Sequence, residues 1–74
     1  MSKYEFTLAD RLRKTRELAG LEQAELAARL HLHRNSISDY ERGKYRPRDD
    51  VLAQWARATE APLEWLVTGR QDAA

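Results

Sequence analysis

No cysteine occurs in this chain. That excludes a disulfide framework and leaves nothing that requires an oxidising compartment. There are only three glycines, two prolines and one phenylalanine. Breaks in regular structure are therefore few, and each one is informative. No apolar run approaches the length of a membrane-spanning helix, and no signal peptide is visible. A bias of charge is also missing, since the net charge is +1. Composition alone thus argues neither for nor against a polyanionic partner. With 74 residues the chain is expected to be one small cytoplasmic domain with a modest core.

Alternation of apolar and polar residues is absent too, so no strand is expected. What recurs is helical spacing. Thr7 can cap a first helix, with Asp10 three residues on, and Leu8, Leu12, Thr15 and Ala19 share one face beside Leu18. Gly20 ends it and Leu21 folds back. A short second helix spans about Gln23 to Leu30, with Leu26, Ala27 and Leu30 inward. A third runs from about Arg34 to Arg42 on Ile37 and Tyr40, with Glu41 beside them, and Gly43 ends it. Pro47 keeps "GKYRPR" a loop. A fourth helix begins near Asp49 and Asp50 and turns Leu52, Trp55, Ala56 and Thr59 inward. A fifth begins with Pro62 in its first turn, is anchored by Leu63, Trp65 and Leu66, and closes at Gly69. The expectation is an all-α, compact five-helix bundle. It comprises an arm over residues 1–6, the domain over 7–69 and a frayed tail over 70–74.

The charges are unevenly spread. Arg29, Arg34, Arg42, Lys44, Arg46 and Arg48 gather around "RLHLHRNSISDYERGKYRPR", with only Asp39 and Glu41 against them. From Gln23 to Arg42 the apolar set is Leu26, Leu30, Leu32, Ile37 and Tyr40, with small Ala27 inside. Two helices meeting at a steep angle need a small residue at the close approach and an apolar plug in the corner, here Leu32. That is the helix-turn-helix pattern.

If Ile37 and Tyr40 face the core, Arg34, Asn35, Ser38, Asp39 and Arg42 face outward. A major groove admits one α-helix, where Arg pairs with guanine, Asn with adenine and Asp accepts from cytosine. Arg34, Asn35 and Asp39 are the candidate base readers, with Ser38 as a helper. Gln23, at the start of the second helix, is a candidate phosphate contact, together with Arg42, Lys44, Tyr45, Arg46 and Arg48. The carboxylates of Asp49 and Asp50 speak against a phosphate at the fourth helix. The two histidines of "HLH" give only two nitrogens with no third ligand, so no metal and no cofactor are expected. His33 is placed to meet a phosphate.

The segments "GLEQAELAARL", "ISDYERGKYRPR" and "PLEWLVTG" resemble the lambda-repressor-like helix-turn-helix family of phage repressors, Cro proteins and related bacterial regulators. The resemblance runs from about Leu8 to Gly69. It implies a homodimer on a palindromic duplex site, although a monomer on an asymmetric site stays open. It also implies an ion pair between Arg16 and Glu41, the phosphate role of Gln23, base contacts by the first residues of the third helix, and action at the nucleoid of a bacterial cell. No small-molecule ligand or membrane is implied. The sequence departs from the family pattern at His31, where glycine is usual, at His33 and Glu22, where capping hydroxyls are usual, and at Glu60, where a glycine is expected. Thr59 and Ala61 stand in for larger apolar residues, which puts the packing between helices four and five in question. The remaining alternative is a protein-interaction module on the same fold, such as an antitoxin or anti-repressor partner. An enzyme is not expected, because no nucleophile–base pair, phosphate-cradling glycine loop or metal cluster is present.

Overall fold

Among the described residues there are five helices: α1 (Leu8–Leu18), α2 (Gln23–Leu30), α3 (Arg34–Glu41), α4 (Asp49–Thr59) and α5 (Leu63–Thr68). The computed structural model of the protein describes residues 6–70. The expected arm and tail fall almost wholly outside those residues. No helix among the described residues is long and apolar enough to cross a membrane.

Local chemistry sets the helix ends. Asp10 N–H donates to Thr7 Oγ1, and Thr7 N–H donates to the Asp10 carboxylate, each at 3.1 Å. Two orphan donors are thereby satisfied reciprocally. At α2 the Glu25 carboxylate accepts the N–H of Glu22 at 2.9 Å, so the absent capping hydroxyl is partly made good. α3 stops one residue earlier than the spacing implied, with Arg42 as its C-cap. Pro62 is the N-cap of α5 and lies outside its first turn.

Two helices end on non-glycine residues in the left-handed region, His31 at φ 57° and Glu60 at φ 56°. Both keep the backbone bonds of that ending. Leu32 N–H reaches Ala27 O and Ala61 N–H reaches Ala56 O, each at 2.9 Å. The left-handed backbone costs an L-residue about 1–2 kcal/mol. Part of that is offset by the extra freedom glycine has when unfolded. His31→Gly and Glu60→Gly are each expected to stabilise the fold by about 0.5–1 kcal/mol. Chemical denaturation checks this, and a loss of stability at either site would show that the native side chain makes a compensating contact.

The core is Leu12, Leu21, Leu26, Ala27, Leu30, Ile37, Val51, Leu52, Trp55, Ala56 and Leu66, all buried. Leu8, Leu32, Tyr40 and Val67 pack against it. Trp55 sits where α1, α3 and α4 converge. Its ring is wholly buried and meets Tyr40 edge-on at 6.4 Å. Its Nε1 donates to Leu12 O and Thr15 Oγ1. Thr59 closes α4 from inside, its hydroxyl donating to Trp55 O at 2.8 Å. That bond stays inside α4, and at the junction with α5 an open cleft lies between Thr15, Leu18, Thr59, Ala61, Pro62 and Trp65.

Three expected core residues lie outside it. Leu18 is 77% exposed, Leu63 is 46% exposed and Ala19 is also exposed. In the last turn of α1, Thr15 and Arg16 still meet α4 and α3, whereas Leu18 and Ala19 beside them face solvent.

Candidate nucleic-acid interface

The third helix is anchored from behind. Ile37 is wholly buried and Glu41 nearly so, while Tyr40 is half-buried. These positions recur every three or four residues, so the opposite side must face out. Arg34 and Asn35 are exposed there, with Ser38 and Asp39 half-exposed further along. No other part of the described chain covers that face. It offers cationic and amide donors at its start, followed by a hydroxyl and a carboxylate.

A polar network fixes the helix against α1. Arg16 Nε donates to Glu41 Oε2 at 2.6 Å and its Nη2 to Oε1 at 3.0 Å, a two-bond ion pair. The third arm of the guanidinium donates to Leu21 O at 2.8 Å. The Glu41 hydrogen bonds raise the Arg16 pKa above the usual arginine range, burial opposing them. Arg16 is thus committed to α1, α3 and the link after α1. Glu41 contributes no negative charge to the outer face.

Gln23 belongs to the same network. Its amide donates to Glu41 Oε1 at 3.2 Å and is half-buried. The sequence reading had it free for a phosphate. One amide N–H is in fact held by Glu41, and the side chain is tied to the last residue of α3. Asp39 and Arg42 also differ from their separate assignments to base and phosphate. Arg42 Nη2 donates to Asp39 Oδ1 at 2.5 Å, so the two are paired on the surface.

The loop after α3 is shaped by its turn. Gly43 takes φ 76°, and Lys44 N–H reaches back to Asp39 O at 2.9 Å. A side chain at Gly43 would be strained by that backbone. Lys44, Tyr45, Arg46 and Arg48 are all exposed, while Pro47 is buried and pins the loop. Lys44 Nζ lies 5.5 Å from the Tyr45 ring centre. Arg48 stands 3.7 Å from Asp50, with both side chains largely exposed. That contact is too weakly shielded to withhold Arg48 from another anion. His33 is the exposed N-cap of α3 and makes no capping bond with its side chain.

A helix-turn-helix family model matches residues 12–66. The chain belongs to the lambda-repressor-like helix-turn-helix family of DNA-binding transcription regulators. Among solved structures, it is similar to the P22 c2 repressor in complex with a synthetic operator, at 23% identity and a TM-score of 0.81. That match covers 89% of this chain and 100% of the other. It is similar also to the solution structure of the P22 c2 repressor DNA-binding domain, again at 23% identity, with a TM-score of 0.82, covering 93% of this chain and 88% of that one. These likenesses establish the five-helix fold. No curated protein matches the sequence.

Within this helix-turn-helix domain one polar residue escaped the sequence reading. Arg11 is buried, and its guanidinium donates to Leu66 O at 2.8 Å, Val67 O at 3.0 Å and Phe6 O at 2.6 Å. Burial first, and then the nearby Arg46 charge, lower its pKa, with Asp10 opposing. It remains charged at any ordinary pH. Its burial is compensated by carbonyls at the negative end of α5. Arg11 therefore closes the bundle by clasping α5 to α1. An arginine among the apolar positions of α1 was the only signal available, and its partners are backbone atoms 55 and 56 residues away.

Proposed function

We propose that the protein is a sequence-specific transcriptional repressor, of the Cro type or the DNA-binding part of a repressor, that occupies an operator through the major groove. The observation that carries this is the open outer face of α3, with Arg34 and Asn35 exposed at its start and Ile37 and Glu41 buried behind. Arg34 matches the acceptor pair of guanine, Asn35 the donor–acceptor pair of adenine, and Ser38 either. Lys44, Tyr45, Arg46 and Arg48 grip the backbone on one flank. Gln23, with the first N–H groups of α2, holds the other through the amide hydrogen that Glu41 leaves free. The operator complex of the P22 c2 repressor, a fold relative, supports this reading. The expected assembly is a homodimer on a palindrome in the bacterial cytoplasm, with half-sites about one helical turn apart. An interaction module would turn apolar residues outward on α3, whereas Ile37 and Tyr40 are turned inward.

The test is selection of duplexes from a random library, followed by affinity measurements at low and high salt. Arg34→Ala is expected to lose about tenfold or more in preference at one base pair. Arg46→Ala is expected to weaken all duplexes alike and to lower the salt slope by about 1. If neither substitution changes binding, the reading surface has been misassigned. If no duplex is preferred, the protein is not a sequence-specific regulator.

A further inference from the structure

Asp39 and Arg42 lie on the side of α3 that the proposed function aims at DNA, but as separate contacts they conflict. A lone carboxylate is repelled by flanking phosphates, and a lone arginine at a helix end has many conformations. The structure removes both difficulties together. Arg42 Nη2 donates to Asp39 Oδ1 at 2.5 Å, three residues apart on one helix. The Asp39 side chain is only 22% exposed, against 65% for Arg42. The carboxylate is thus seated while the guanidinium projects. The turn fixes the seat further, because Lys44 N–H holds the Asp39 carbonyl and Gly43 N–H holds that of Tyr40.

We propose that Arg42 is a specificity-determining residue that reads a guanine, and that Asp39 is the positioning residue that orients it. The proposal rests on the DNA-binding reading above. Asp39 engages one corner of the guanidinium and leaves its other N–H groups free. Two of those match guanine O6 and N7. The pair has no net charge, so phosphate attraction does not pull Arg42 from the base edges. Stability is not its purpose, because an exposed pair three residues apart contributes little to folding.

Arg42→Ala, Asp39→Ala and the double variant are measured against duplexes selected by the wild-type protein and against single-pair changes of them. Arg42→Ala is expected to lose about tenfold of the preference for guanine at one position. Asp39→Ala is expected to lose several-fold at that same position, and the double variant no more than Arg42→Ala alone. Asp39→Ala also strengthens binding to unrelated duplexes, since a negative charge is removed, and all three variants keep the wild-type melting temperature. A changed melting temperature would mean that the pair serves folding, which overturns the assignment. So would multiplying effects of the two substitutions. A preference lost at a different pair, and lost again in the Arg42→Ala background, would make Asp39 a direct reader. Uniform weakening by Arg42→Ala would make that residue a phosphate contact. If the wild-type protein prefers no duplex, the DNA-reading proposal fails and this assignment falls with it. If the preference is present but uncoupled, this assignment alone fails.

Discussion

Glu41→Ala is expected to cost about 3–5 kcal/mol of folding stability, the range for stripping one partner from a buried ion pair. The side chains of Arg16 and Glu41 are 12% and 4% exposed, so water cannot replace the lost carboxylate. Arg16 would keep only its bond to Leu21 O, and Gln23 would lose its acceptor. A chain of 74 residues holds about 4–11 kcal/mol in all, at about 0.05–0.15 kcal/mol per residue. The variant therefore stands at the edge of unfolding at body temperature. Glu41→Gln keeps an acceptor but turns an amide N–H toward a cation, and is expected to lose about 1–3 kcal/mol. Arg16→Met with Glu41→Leu is expected to recover most of the loss, because the penalty lies in the stranded charge rather than in the missing attraction. The contrast is Arg48→Ala, which breaks an exposed contact and should change stability by less than about 0.5 kcal/mol. Urea denaturation at low and high salt reads all four variants. A Glu41→Ala loss below about 1 kcal/mol, or one that high salt abolishes, would class the pair with surface bridges.

That pair was legible because a resemblance supplied it; nothing in the spacing of residues 16 and 41 announces a contact. Helix ends were legible from chemistry alone. Thr7 with Asp10, Gly20 before Leu21, and Gly43 each act within a few residues of the chain, and local signals survive without tertiary knowledge. The inward set of α4 was legible for a related reason. Leu52, Trp55, Ala56 and Thr59 follow one helical stripe, and all four are buried.

What failed needed the third dimension. Leu18 and Leu63 fit their stripes but lie beyond the edge of the packed surface. Arg11 escaped notice because its partners are carbonyls, which have no sequence signature. Gln23 was assigned by its place at a helix start, without the neighbouring carboxylate that claims it. Asp39 and Arg42 are different, since their spacing of three was visible and is the spacing at which helical side chains meet. Treating each as an independent DNA contact ignored that neighbour. The candidate interface was thus readable as a face with a set of donors. The pairing of the Asp39 carboxylate with Arg42 was signalled by spacing alone and fixed only by the structure.

Trp55→Ala is the other large effect, expected at about 3–5 kcal/mol. The ring is wholly buried and is among the largest buried side chains, so truncation opens a cavity between α1, α3 and α4. Its N–H also supplies Leu12 O and Thr15 Oγ1, and the Thr15 hydroxyl would lose a donor in an apolar setting. Trp55→Phe separates the two contributions. It keeps most of the volume and the edge contact with Tyr40 but removes the N–H, so a loss of about 1–2 kcal/mol is expected. The functional consequence follows from Tyr40, which rests on this ring from the back of α3. Trp55→Phe should retain the wild-type choice of duplex at a lowered melting temperature, because Ile37 and the Arg16–Glu41 pair still seat α3. Trp55→Ala should lose binding and fold together. The measurement is duplex affinity well below each variant's melting temperature, beside a Trp65→Phe control at a half-buried site. Were Trp65→Phe the more damaging, the centre of the core would lie nearer α5. Were Trp55→Phe to alter which duplexes are chosen, the back of α3 would be part of the reading device and not only its support.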